Sequence, residues 1–538
     1  MVKRVLVSAL FASGFFMAAE AQNSYMKEYE EFRKGAYKEY EEFRKECMRE
    51  YLEFMRAPWP KFEAKKPVEV PKVKPQPPVI YTEPDTLPDY DKLKKLKGVN
   101  INVDKPELVK KDKIDKEPIE MPVIPKDETV ELDLRDLGNP IAIGGGVIRL
   151  KKEVYMQPKP LVPIEEDLSL NTPDYSFDVF GTECEVRIDD ACKFKLNGVT
   201  NDKVIKALNG MMTPQFDNLL HDCLEIREKR KLSDWGYYMM LSSLVDNFYG
   251  KDSNEATLAL AFLYMQSGYK MRLGQDGNRL YMLICSKHNI TGKSYFPIDG
   301  ENYYNLRGPQ AQRMSICQAK FPKESSLSLM IPYRQLLDME QSPERTITST
   351  RYPDFSFNVK LNKNLIDFYN TYPSSTINND FTTRWAMYAN APMDPEVVKT
   401  LYPQIKEKIK GMSNLEAMER LLNWVQTGFV YKLDDVVWGY DRAFFGEESL
   451  FYPYCDCEDR SILLSHLVRE LLGLDTVLIY YPGHLAMAVD LQEASDGDYV
   501  QLDGRRFVVC DPTYIGARVG KTMPKMDNSQ AKLILLEK

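Results

Sequence analysis

Cys457, His484 and Asp511 are the residues of this chain whose types and order could do covalent chemistry. A cysteine attacks a carbonyl carbon as its thiolate, so it needs a base to take the proton and a group to orient that base. Asp456-Cys-Glu-Asp459 reads as a helix start, with Asp456 as N-cap and Asp459 at the capping-box position. Cys457 then lies in the first turn, where unpaired N–H groups and the helix dipole favour a thiolate. Asp456, Glu458 and Asp459 work against that charge, so the thiolate needs a cationic partner. Of the four histidines, His221, His288, His466 and His484, only His484 follows Pro-Gly, opens a strand-like run and precedes an Asp-Pro-Thr at 511–513. Nucleophile, base and orienting carboxylate in this order are the parts of thiol acyl transfer.

These residues need elements to hold them. The helix should run from Cys457 through Leu464, Leu467, Val468 and Leu471 and stop at Gly473. A strand over 476–481, a second from His484 to Val489 and a third over 507–510 should follow, with a turn at Asp503-Gly504. Adjacent antiparallel strands can set His484 beside Asp511, with Cys457 packed across them. Upstream, Ser413-Asn-Leu-Glu416 is a capping box, and Leu415, Met418, Leu422 and Val425 share one face of a helix ending near Gly428.

Glu447-Glu-Ser-Leu450, Asp456-Cys-Glu-Asp-Arg-Ser461, Gly483-His484 and Asp511-Pro-Thr513 together resemble the transglutaminase-like superfamily over about 413–520. That family opens its helix on Gly-Asp-Cys with a small residue four positions on, here Ser461, and follows with a strand-initial His and Asp-Pro-Thr. The resemblance implies a papain-like α+β core with Cys457, His484 and Asp511 as a catalytic triad. It also implies an imidazolium–thiolate pair, attack on an amide carbonyl, an oxyanion held by the Cys457 N–H, and protonation of the leaving amine by His484. Water would complete hydrolysis, and an amine would complete cross-linking. Cys455 stands where the family has Gly, and Gln426, Trp438 and Tyr454 are the side chains available as a further oxyanion donor. No cofactor or metal is implied: the C-x-C spacing and long gaps among Cys455, Cys457, His484 and Cys510 suit zinc poorly.

An upstream stretch echoes the site. Two helices over 234–267 precede strands near 270–273, 280–284 and 302–306, and Asp299-Gly300 matches Asp503-Gly504. The offset between the two Asp-Gly pairs carries Cys457, His484 and Asp511 onto Ser253, Leu280 and Arg307. This suggests a degenerate copy that has lost its triad. Cys184 and Cys192 flank a short strand-like segment and could form a local disulfide.

The N-terminus reads as a signal peptide over 1–21, with Lys3-Arg4, an apolar run over 5–18 and Ala19-Glu-Ala21 for cleavage. An eleven-residue repeat follows over 22–56, placing Tyr25, Tyr29, Phe32, Ala36, Tyr40, Phe43, Cys47, Tyr51 and Phe54 on one helical stripe. At about 3.67 residues per turn, a partner helix would wrap straight or weakly right-handed. Self-association or an envelope partner, docking on the globular part, and a membrane surface are the three ways to cover it. Thirteen of the 33 prolines fall within 57–127, which reads as a semi-rigid solvated linker.

The expected units are therefore 128–310 (α+β, the degenerate copy), 311–400 (connecting, mixed) and 401–538 (transglutaminase-like). A net charge of −8 gives no pull toward nucleic acid, nine cysteines are too few for a disulfide scaffold, and no later run is long and apolar enough to span a bilayer. The expected protein is exported (periplasmic, envelope-associated or secreted) and hydrolyses amide or peptide bonds in peptide or protein substrates. The alternatives are a cross-linking transglutaminase and a non-catalytic envelope scaffold.

Overall fold

Two six-stranded sheets, each packed against helices, organise the described residues of a mixed α+β fold. The computed structural model describes residues 35–69, 75–81, 95–96, 127–128, 138–149, 155–377, 380–493 and 495–536. The signal segment, the first copy of the eleven-residue repeat and most of the linker lie outside the described residues. No helix among those described is long and apolar enough to cross a membrane.

The C-terminal sheet runs Tyr499–Leu502, Arg505–Cys510, His484–Val489, Thr476–Tyr481, Lys532–Leu535, Val147–Ile148. The upstream sheet runs Tyr295–Ile298, Glu301–Asn305, Arg279–Cys285, Met271–Asp276, Arg313–Ile316, Lys61–Glu63. The first five strands of each follow one plan. Two strands form a tight hairpin, the fourth in sequence pairs with the second, the third takes the edge, and the fifth returns antiparallel beside the first. A buried helix precedes each hairpin, Asn254–Gln266 upstream and Cys457–Leu467 downstream. Both edge hairpins turn on Asp-Gly with positive φ at both residues, 52° and 80° at Asp299-Gly300 and 50° and 76° at Asp503-Gly504. This is the mirror-image turn that matches strand twist.

Every residue of Cys457–Leu467 is buried. The helix contacts Thr383–Asn390, Asn414–Thr427, Gly446–Phe451 and the strand His484–Val489. A π-turn, Val468–Leu472, extends it to Gly473, whose left-handed φ of 67° ends it. Ser413 and Glu416 close a reciprocal capping box at Asn414–Thr427.

Four expectations need correction. The helix over 35–55 docks within the molecule, one of the three expected outcomes, but on a face that shares only Cys47 and Tyr51 with the aromatic stripe. Arg44, Cys47, Met48, Tyr51, Leu52 and Met55 are buried, whereas Tyr40, Phe43 and Phe54 are exposed. Arg44 pairs with Asp217, Tyr51 meets Phe321 edge-on, and the Asn201 amide donates to the Met55 carbonyl. The linker is not wholly solvated, because Lys61–Glu63 is the edge strand beside Arg313–Ile316 and 75–81 lies on the C-terminal unit. The unit boundaries also shift. Residues 138–149 join the C-terminal sheet, and the helix Pro395–Ile409 runs through the expected break at 400. All nine cysteines are free, Cys184 and Cys192 included.

The docked face predicts a contrast between neighbours. Met55→Ala, at a fully buried position, should lower unfolding free energy by about 2–5 kcal/mol. Phe54→Ala, at a residue 56% exposed, should stay within about 0.5 kcal/mol of wild type in the same denaturant titration.

Candidate functional site

The start of the helix Cys457–Leu467 is fixed by its own carboxylates. The Asp456 side chain accepts from the Glu458 N–H, and Asp459 accepts from the Asp456 N–H at 3.1 Å and the Phe444 N–H at 2.9 Å. Two side chains then stitch the helix to the rest of the site. Arg460, wholly buried, donates to the carbonyls of Gln426, Phe429 and Pro512 at 3.0, 2.8 and 3.3 Å. The Ser461 hydroxyl donates to the Leu485 carbonyl at 2.9 Å. The Leu485 backbone, next to His484, pulls the Cys457 thiol down against the larger upward effect of burial.

His484 and Asp511 are joined. His484 Nε2 lies 2.7 Å from Asp511 Oδ2. The other carboxylate oxygen accepts from the Thr513 and Tyr514 N–H groups at 2.8 and 3.2 Å, the Asx turn that Asp-Pro-Thr favours. The Gln426 amide donates to the carbonyls of Asp511, Tyr514 and Ala517 and accepts from the Gly516 N–H. Gln426 thus positions the Asp511 turn, and its N–H groups are already used. Trp438 packs against Phe444, Tyr452 and Arg442, and Tyr454 lies under Lys432.

An ionised Asp511 places the imidazole proton on Nε2 and leaves a lone pair on Nδ1. That Nδ1 is buried without a hydrogen-bond partner. Cys457 does not meet it in this state; its S–H points to Glu458 Oε2 at 3.6 Å. Cys457, His484 and Asp511 are only 4%, 2% and 3% exposed. Burial, then Asp456 and Glu458, push the Cys457 thiol well above its usual range. The expected imidazolium–thiolate pair is therefore not formed here, because the thiol is dry and faces acids.

Those acids form a dense cluster. Burial and the neighbouring carboxylates raise Asp434, Asp456 and Asp459 well above the usual range. Burial and Asp441 push Glu458 up to about 7, against the pull of Arg384. Burial likewise takes Glu447 to about 8 and Glu448 to about 7. Asp434, Asp456 and Asp459, and Asp434, Asp441 and Glu458, bring oxygens within 4.8 Å of one another and are the groups that could hold a cation. Arg384 already bonds Asp441 and Glu458 there. Cys455 pairs with Tyr431 across a short parallel bridge, and burial raises its thiol.

The upstream unit carries no triad. Its hairpin register sets Arg279 opposite Asp276, as His484 stands opposite Tyr481. Its helix N-cap is Ser253, as Asp456 is downstream. The positions matching Cys457 and His484 are thus Asn254 and Arg279, each one residue from the Ser253 and Leu280 expected, whereas Arg307 still matches Asp511. Asn254 Oδ1 accepts from the Leu280 N–H at 2.8 Å, tying that helix start to the following hairpin. Arg307 pairs with Asp246 and Asp252.

Sequence reasoning passed over Arg460 and Tyr431; an arginine directly after three acids at the start of a helix with an apolar second half was the available signal for the first. The chain matches no family model, no curated protein and no solved structure.

The raised carboxyls set a pH dependence. Because their folded pKa values exceed the unfolded ones, the folded state holds more protons between about pH 4.3 and 8, and stability falls as pH rises through that window. The melting temperature should drop from pH 5.5 to pH 8. Glu447→Gln should flatten that drop, removing up to about 1.4 kcal/mol per pH unit. A melting temperature that rises over this range would contradict the assignment.

Proposed function

We propose that this chain is an exported, cysteine-dependent acyl-transfer enzyme of transglutaminase-like type. It hydrolyses amide or peptide bonds of envelope or extracellular peptides through Cys457, His484 and Asp511. The observation that carries this reading is the buried His484 Nε2–Asp511 Oδ2 contact of 2.7 Å, which leaves Nδ1 as a free base beside the Cys457-bearing helix. In the reaction, Nδ1 takes the thiol proton, Asp511 steadies the resulting imidazolium, and the thiolate attacks the amide carbonyl. The Cys457 N–H, at the first turn of its helix, is the backbone donor for the oxyanion. His484 then gives its proton to the leaving amine, and water releases the acid. The upstream unit reads as a degenerate copy of the same plan, in which Asn254 stands at the position of the cysteine without its chemistry.

A second reading, a non-catalytic scaffold that retains the fold, draws on the burial of the triad and the raised Cys457 thiol. Release of new amines from a peptide and muropeptide library separates the two. Wild type should turn over a subset. Cys457→Ala should abolish turnover, and His484→Ala should lower kcat/KM by about 10²–10⁴-fold. Incorporation of a fluorescent primary amine would mark cross-linking instead. Equal behaviour of wild type and Cys457→Ala would overturn the enzyme reading.

A further inference from the structure

The segment 75–81 belongs to the proline-rich stretch, yet it spans the loops that carry the base and its orienting carboxylate. At one end the Gln76 N–H donates to the Gly483 carbonyl at 2.8 Å, one residue before His484. The Gln76 carbonyl accepts from the Tyr431 hydroxyl at 3.4 Å. Tyr431 is buried, under the Arg460 guanidinium, with Cys457 among its nearest ionisable neighbours. At the other end Val79–Ile80 runs parallel to Tyr514–Ile515, directly after the Asp511 turn, and the Tyr81 N–H donates to the Ile515 carbonyl at 2.9 Å. Tyr81 then packs with Tyr514, Ala517 and Met523. Backbone hydrogen bonds plus a buried side chain at alternate positions are how an extended peptide is held at an exposed strand.

We propose that residues 75–81 occupy the groove in which an extended peptide substrate lies when it presents a carbonyl to Cys457, so that the site stays latent until a peptide displaces them. This rests on the enzyme reading for the word substrate, but the groove and its occupant stand on contacts alone. The groove selects an extended backbone able to pair with Tyr514–Ile515. It takes an apolar side chain at the position of Ile80 and an aromatic one at that of Tyr81. The carbonyl at the position of Gln76 is the one that meets the Tyr431 hydroxyl. Proline suits the preceding positions because Pro77 and Pro78 have no N–H to leave unpaired. It also pre-extends the chain, lowering the entropy of docking.

Thiol accessibility tests the proposal without relying on turnover. In the full chain, Ile80→Asp combined with Tyr81→Ala should let iodoacetamide label Cys457 about tenfold faster, read by mass spectrometry of the peptide that contains it. A synthetic peptide of residues 75–81 added in excess should slow that labelling again. Hydrogen exchange on the wild-type chain gives a second readout should the variant misfold. The Gln76 and Tyr81 amides should be protected, and should lose protection when the synthetic peptide is in excess. Unchanged labelling in a folded variant, or unprotected Gln76 and Tyr81 amides, would overturn the proposal whatever the turnover. Faster labelling without amide turnover would support the strap and count against the enzyme reading.

Discussion

The His484–Asp511 hydrogen bond is the interaction on which the site depends. It joins two strands by their ends, and much of the surrounding architecture keeps those ends in place. Asp511 is held by the two N–H groups of its own turn, the turn by Gln426, and Gln426 by its place in the helix Asn414–Thr427. Arg460 reaches the same turn from the helix Cys457–Leu467 through the Pro512 carbonyl, while Ser461 ties that helix to the strand of His484. A buried imidazole with one nitrogen fixed has no freedom to choose its tautomer. The geometry therefore decides which atom can accept a proton.

Burial cuts both ways at this site. It strengthens the His484–Asp511 contact, since little water competes for it. It also holds Cys457 in its neutral form, and the carboxylates around the helix start add to that effect. The acids are themselves driven toward protonation, which limits the negative charge the core must bear. A resting site of this kind is compact and chemically quiet. Reactivity requires the thiol to turn from Glu458 toward the free imidazole nitrogen, and room for a carbonyl between Tyr431 and the helix start. The Gln76 carbonyl now meets the Tyr431 hydroxyl on the second of these grounds.

Local signals made much of this legible from the sequence. The capping boxes at Ser413 and Asp456, the Asp-Gly turns and the stop at Gly473 each depend on residues within a few positions, so their types announce the geometry. The hairpin order followed from strand lengths and turns. Contacts between distant segments were not legible. Proline density signals extension, but it does not say what an extended segment lies on, so the docking of 75–81 was missed. The aromatic stripe over 25–54 was the most conspicuous periodicity of the arm helix. The adjoining face, with Met48, Leu52 and Met55, fits the upstream unit better. The helix Pro395–Ile409 crosses the expected break at 400 with Pro403 inside it, and Val397, Leu401, Ile405 and Ile409 keep a buried four-residue repeat around that proline. The offset that matched the two Asp-Gly turns slipped by one residue at the other hairpin, because register there is set by a different loop.

The central claim is that Cys457 becomes acylated with help from His484. The direct measurement is the intact mass of the full chain after mixing with a peptide p-nitrophenyl ester and quenching in acid, with the adduct mapped by digestion. A single acyl group on Cys457 is expected. It should form rapidly in wild type and slowly in His484→Ala, and be absent in Cys457→Ala. No adduct on Cys457, or one that forms equally fast without His484, would contradict the account.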